Sequence, residues 1–357
     1  MAMRSKLAVI VGLVFATCVW AEPPELWTKE RADIAAFVSA RADKFAKAQL
    51  EVSAGRPVTN DLINEVARAR VELLAVTRDE KDPTATPSLA FRNAMTQEVV
   101  AQLFKYATSK DSGVAMNALM VLTDAEPADE ADKIGEFLDV TKTPSVGVRY
   151  WSAKCLAKML PRLKQNPMRA QRVLGAVNQA LNADKPETSG MVIGELQGIL
   201  LTSDSSGAVL NGVNYLKQRS GKLANTRPLD RDLEAISASL SAINKALAGG
   251  LKLEGANLDA ALTGAAQAAS FVVQHHVQLA YPAEQLTNAQ GILDEATTLI
   301  GTLLGQPAAK FVISADATKS MELGFKVDDL VGSPSAPGQI QKKFKVDAPP
   351  RIRSKAG

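Results

Sequence analysis

The chain has 357 residues, 46% hydrophobic and 22% charged, a globular balance that excludes a wholly disordered protein and leaves room for roughly one to three domains. Aromatic residues make up only 5%. Ala and Leu carry the apolar load instead, which favours helices over a β-sandwich. The net charge of +3 is too small to point to a polyanionic partner.

Residues 1–6 (MAMRSK) are short and positive, and residues 7–20 (LAVIVGLVFATCVW) are uncharged and apolar. Val19-Trp20-Ala21 then precedes Glu22-Pro23-Pro24. This three-part pattern reads as a secretory signal peptide, residues 1–21, cleaved between Ala21 and Glu22. The apolar run is shorter than the ~20 residues a spanning helix needs, so no transmembrane helix is expected in the mature chain. Two rivals are an uncleaved anchor and lipoprotein processing at Cys18, which the preceding Phe15-Ala16-Thr17 suits poorly. The expected address is the periplasm or the exterior, where nucleic acid is not an expected partner. Cleavage removes Cys18 and leaves Cys155 alone, so no internal disulfide is expected. In the apolar segment around Trp151 and Leu156, Cys155 reads as a buried small hydrophobe.

Helix signals recur from residue 30 to about 305. Residues 30–53 and 59–78 read as an N-terminal hairpin split by Gly55-Arg56-Pro57. In its second helix Leu62, Val66, Ala69, Leu73 and Val76 make one apolar stripe, with Asn60 or Thr59 as the cap. A loop rich in Asp, Thr and Pro follows at Asp79–Pro87. Three helix pairs come next: 88–107 with 114–124, 128–140 with 146–160, and 167–183 with 188–202. Their dividers are Lys110–Gly113, Thr143-Pro144 and Asp184–Pro186.

The second helices of these pairs superpose. Val114, Ala118 and Leu122 match Val148, Ser152 and Leu156 at an offset of 34, and Val192, Leu196 and Leu200 follow after a further 44. Repeated two-helix units of this length are the mark of helical solenoids, because one pair cannot bury its own apolar face. Residues 88–203 resemble degenerate HEAT repeats. The best unit is Thr143–Leu160, with its Val148-Arg149 opening and spaced small and Leu positions. The other units read Val114-Ala115 and Val192-Ile193, so the basic position is absent there. The resemblance implies an α-α superhelix that binds other proteins along an extended surface. The alternative is an irregular α-bundle.

Residues 205–220 and 229–248 extend the array, with Asp230 or Thr226 near the start of the second helix and Gly249-Gly250 at its end. Residues 256–279 and 283–304 read as an Ala-rich closing hairpin, divided by Tyr281-Pro282. Phe311-Val-Ile-Ser reads as a short strand or a helix turn. From Gly332 the chain is rich in Pro, Ser and Lys and reads as a disordered basic tail.

Chemistry is sparse. His275 and His276 are the only histidines, and adjacent helix positions point ~100° apart, so they cannot chelate one ion together. The expectation is one exposed and one partly buried imidazole. No G-x-S-x-G or phosphate-loop pattern occurs, and no cofactor or metal is expected. The acids Asp79, Glu80 and Asp82, and Asp129, Glu130 and Asp132, cluster at loops and helix starts, where the helix dipole favours them. Gly190, Gly194 and Gly198 lie one turn apart on one helix and predict close helix packing or, less simply, a peptide-docking groove. Lys342, Lys343, Lys345, Arg351 and Arg353 would either solubilise the tail or touch anionic surfaces.

The sequence therefore predicts an all-α fold, a HEAT-like superhelix with helical hairpins at both ends. Its parts are a signal peptide (1–21), an N-terminal hairpin and loop (22–87), HEAT-like repeats (88–248), a C-terminal hairpin or cap (249–331) and a basic tail (332–357). The expected function is an exported, non-enzymatic scaffold with a protein partner. The alternatives are a helical-bundle hydrolase or lyase with a carboxylate-based site, and an envelope structural protein docked by its tail.

Overall fold

The computed structural model describes residues 31–55, 57–75, 88–183, 189–314 and 316–352. The expected signal peptide, its cleavage site at Ala21 and Glu22, Cys18 and Arg353 lie outside them. Among the described residues the fold is all-helical, with fourteen α-helices and no strand. The chain forms two compact units. One comprises Met1–Phe137 and Gly147–Asn166, and the other Leu138–Val146 and Pro167–Gly357.

The first unit holds α1 (Arg31–Ser53), α2 (Asn60–Ala75), α3 (Leu89–Ala107), α4 (Ser112–Ala125), a 3-10 turn (Ala128–Glu130) with α5 (Ala131–Glu136), and α6 (Val146–Leu163). Thr59, rather than Asn60, caps α2: its hydroxyl accepts from the Leu62 N–H at 3.2 Å. Ser88 and Asp111 cap α3 and α4 in the same way. These acceptors satisfy amide N–H groups that have no partner inside the helix. The stripe Leu62, Val66, Ala69 and Leu73 is buried as expected. Helix α1 packs on α2, α3 and α4, and there a buried amide pair joins Asn117 to Gln49 at 3.1 Å.

Helices α4 and α6 run parallel, because their contacts advance together. Gly147 lies against Met116, Lys158 pairs with Asp124 at 2.8 Å, and Arg162 pairs with Glu126 at 3.1 Å. Glu126 ends α4 with a left-handed backbone (φ 49°), so the break expected at Glu126-Pro127 is made by the glutamate itself.

The second unit holds α7 (Pro167–Asn182), α8 (Gly190–Leu201), α9 (Ser206–Lys222), α10 (Asp230–Ala248), α11 (Gly255–Leu279), α12 (Ala283–Leu304), α13 (Ala317–Val331) and α14 (Gln339–Lys343). Two layers result. Helices α7, α9, α11 and α13 neighbour one another in sequence, as do α8, α10 and α12. Helices α8 and α10 are parallel, with Gly190 facing Glu234 and Gly194 facing Ala238. At the start of α10 neither Asp230 nor Thr226 acts as the cap. Asp232 reaches back to the Leu229 N–H at 3.2 Å, and the Thr226 hydroxyl donates instead to the Lys222 carbonyl.

Helix α11 is the centre of this unit, enclosed by α9, α12 and α13. Its alanines, Ala260 to Ala269, are small enough for neighbours to approach closely. A Cβ on Gly264 would lie 2.8 Å from the Leu216 side chain and 2.9 Å from the Lys217 backbone nitrogen.

The predicted disordered tail is a correction. Residues 332–352 fold back onto the second unit, where Ile340, Val346 and Ile352 join its apolar core. Gly332 takes φ 81° and meets Gly338 so closely that a side chain on either would collide with backbone. Gln341 then secures both ends of this turn, accepting from the Gly338 N–H and donating to the Val331 carbonyl. Composition hid this packing because three well-spaced apolar residues suffice to fix a short segment to an existing core.

Candidate functional site

The sequence-derived positions among the described residues each have a definite place. Val114, Ala118 and Leu122 on α4, Val148, Arg149, Ser152 and Leu156 on α6, and Val192, Leu196 and Leu200 on α8 are all buried. They form the interior of their units rather than a surface. Of the three aligned glycines, Gly190 and Gly194 face α10, and a Cβ on Gly190 would sit 3.2 Å from the Glu234 carbonyl oxygen. Gly198 faces open space. The stripe therefore packs at one end only.

Cys155 is fully buried, and burial pushes its thiol up to about 12, which leaves it without thiolate character near neutrality. The acids Asp79, Glu80 and Asp82 lie outside the described residues. Asp129, Glu130 and Asp132 sit at the start of α5, where Glu130 pairs with Lys133 at 2.7 Å. Among the described residues no group of three or more His, Cys, Asp or Glu side chains is placed to hold a metal ion.

The two histidines depart from expectation, since both are buried, His275 at 5% and His276 at 6% exposure. A helix covered on several sides has no solvent face for either ring to occupy. His275 Nε2 lies 2.7 Å from the Leu223 carbonyl at the end of α9, while its Nδ1 is buried without a partner. Burial holds this imidazole below its ordinary value of 6.5, with Arg227 adding to the effect and the Leu223 carbonyl opposing it. His276 accepts the Tyr281 N–H at Nδ1 (3.2 Å), so its Nε2 is the donor to the Ser314 carbonyl at 2.8 Å. Its ring stacks on Tyr281 at 5.6 Å between centroids. The imidazoles thus staple loops to α11.

The surface that the sequence did not single out lies around α12 and α13. Gly305, with φ 70°, ends α12, and the chain turns back along that helix. The first contact is tight, with the Gln306 N–H donating to the Gly301 carbonyl at 2.8 Å. Gln290, two turns in from the other end of α12, grips the returning segment at two points. Its amide nitrogen donates to the Phe311 carbonyl (2.9 Å) and its oxygen accepts from the Ile313 N–H (2.8 Å). The distances agree: about 15 helical residues cover ~22 Å, and six or seven extended residues span nearly the same length. The segment expected as a strand or helix turn is therefore an extended strap, held by Gln290 at Phe311 and Ile313 and by His276 at Ser314. Its alternation buries Ile313 and leaves Val312 74% exposed.

Helix α13 follows and was not predicted, although Leu323, Val327 and Leu330 carry its core face at three- and four-residue steps. Its opposite face exposes Met321 (53%) and Phe325 (70%) one turn apart. Beside it opens a groove of about 290 Å³ whose lining includes Gly301, Leu304, Pro307, Phe311, Lys326 and Asp329. Its lining mixes apolar and polar side chains and carries one charge of each sign, Lys326 and Asp329.

The basic residues are divided. Lys343 donates to the Leu304 carbonyl at 2.6 Å, and Arg351 forms a two-pronged pair with Asp328 at 3.2 and 2.5 Å. Lys342 and Lys345 are exposed. The expected cluster for anionic surfaces is thus partly spent on holding the fold. No family model matches this chain, no curated protein is significantly similar to it in sequence, and no solved structure is significantly similar to it.

Proposed function

We propose that this chain is an exported, non-enzymatic helical-repeat protein that binds a protein partner through the face of α13 and its adjoining groove. The observation that carries the reading is the exposed pair Met321 and Phe325, two large apolar side chains on one stripe of a helix whose other face is core. Desolvating such a pair rewards a partner, and aromatic side chains flanked by charges are typical anchors of protein interfaces.

A HEAT-like α-α arrangement is the architecture we assign. Its support is parallel stacking of alternate helices: Asp124 pairs with Lys158 at the 34-residue offset of the sequence repeat, and Gly190 on α8 meets Glu234 on α10. Stacked helix pairs leave long edges and flat helical faces, which suit protein binding better than enclosing a small substrate. The leader-like pattern of residues 1–21 supports export to the periplasm or beyond. The groove is near the lower limit for small-molecule sites, and it reads as an extension of the protein-binding face.

The test is affinity capture from the envelope fraction with the native chain and with Met321→Glu/Phe325→Glu. The expected result is a protein retained by the native chain and lost with the variant. Equal retention by both would remove the α13 face from the account.

A further inference from the structure

The partner of the α13 face can be named from its charge order. Lys319, Glu322, Lys326 and Asp329 are all exposed, and among the described residues none is in an ion pair. At ~100° per residue the four fall within about 80° of arc, along one flank of the Met321–Phe325 stripe. Along the helix they alternate in sign, and they are symmetric about Gly324: Lys319 and Asp329 lie five residues either side, Glu322 and Lys326 two residues either side. The helix is therefore complementary to itself reversed.

We propose that the α13 face binds a second copy of this chain, with the two α13 helices antiparallel about a two-fold axis at Gly324. Such an axis brings like flanks together, so residue numbers in facing positions sum to a constant. Lys319 then meets Asp329 of the second copy, Glu322 meets Lys326 of the second copy, and both pairs occur twice. The two Phe325 rings fall close to the axis and can pack offset against each other, with the Met321 side chains outside them. A parallel two-fold pairing would turn this charged flank toward the opposite flank of the second helix and leave these four charges without each other, so the charge order selects orientation as well as partner.

The 15-residue helix is only ~22 Å long. Its face is smaller than the ~1,200 Å² at which stable interfaces begin, so a dimer that dissociates in the micromolar range is expected. This inference rests on the protein-binding reading above, and the experiment separates the two.

The experiment is sedimentation velocity of the chain purified from the envelope fraction, across concentrations of about 1 to 500 μM, the range a weak interface demands. A monomer–dimer equilibrium is expected. Phe325→Glu should abolish it while circular dichroism stays unchanged. Lys326→Glu alone should weaken it about tenfold, because two attractive pairs become repulsive. Adding Glu322→Lys to Lys326→Glu restores opposite charges and should restore the dimer. A chain that stays monomeric throughout overturns the second-copy proposal, as does a dimer indifferent to Phe325→Glu or a double reversal no better than the single one. If the monomeric chain still captures a different protein through Phe325, only the proposed identity of the partner falls. If it captures nothing, the protein-binding reading falls with it.

Discussion

Lys343 donates its ammonium to the Leu304 carbonyl at 2.6 Å, across 39 residues of sequence. That carbonyl is among the last of α12, where the helix dipole concentrates negative charge, so a lysine there both satisfies an acceptor and complements the field. Lys343→Met should cost the second unit about 1 kcal/mol, and Lys343→Arg should cost less. Urea unfolding of the three proteins measures the difference. A lysine belonging to a free tail would give identical midpoints.

The same segment makes a stronger prediction through its apolar side chains. Ile340 is completely buried, and Ile340→Ala should destabilise by roughly 2–5 kcal/mol. Deleting residues 338–357 should do at least as much, since Val346 and Ile352 go with it. Thermal unfolding checks both, and an unchanged midpoint would contradict the folded tail.

His275 sets a pH dependence whose sign follows from its burial. In the folded chain its imidazole is held below the ordinary 6.5, chiefly by loss of solvent. As pH falls through 6.5 the unfolded chain takes up a proton that the folded one refuses, so stability drops; above that range the group contributes nothing further. The groups around it are Arg227, which disfavours its protonation, and the Leu223 carbonyl, which favours it. Urea midpoints at pH 8 and 5.5 should therefore fall less for His275→Gln, which keeps a donor toward Leu223, than for the native chain. Equal slopes would show that this ring does not titrate on unfolding.

Glycines separate packing from propensity. A Cβ on Gly264 meets the Lys217 backbone at 2.9 Å, so Gly264→Ala should cost about 1–3 kcal/mol by forcing α9 and α11 apart. Nothing lies within 4 Å of a Cβ on Gly198, so Gly198→Ala should instead stabilise by up to about 1 kcal/mol through helix propensity alone. Paired unfolding curves give both signs in one experiment.

These contrasts show what could be read in advance. The helices from α1 to α12 were legible because Leu, Val and Ala recur at helical spacing between Gly and Pro breaks. Buried stripes such as Leu62–Leu73 follow directly from that spacing. Gly190, Gly194 and Gly198 have identical spacing, yet only the first two meet a neighbour, because a stripe does not specify where two helices diverge: α10 runs on past the level of Gly198, but the gap has opened by then. His275 and His276 were misread for a related reason: enclosure of α11 on several sides is a tertiary fact, and adjacent residues can both be buried only there. Helix α13 was within reach, since Leu323, Val327 and Leu330 carry a signal as clear as those of earlier helices. The strap before it was not, because its conformation is imposed by Gln290 from 21 residues away.

The central claim is that the α13 face is a protein interface, and a photo-activated crosslinker in place of Phe325 tests it most directly. Irradiated in whole cells, the chain should give one discrete adduct. Its mass should be twice that of the chain and its peptides should map to α13, while a crosslinker at Asn211, exposed on α9, should not form it. Absence of any adduct from position 325, or the same adducts from both positions, would contradict the account.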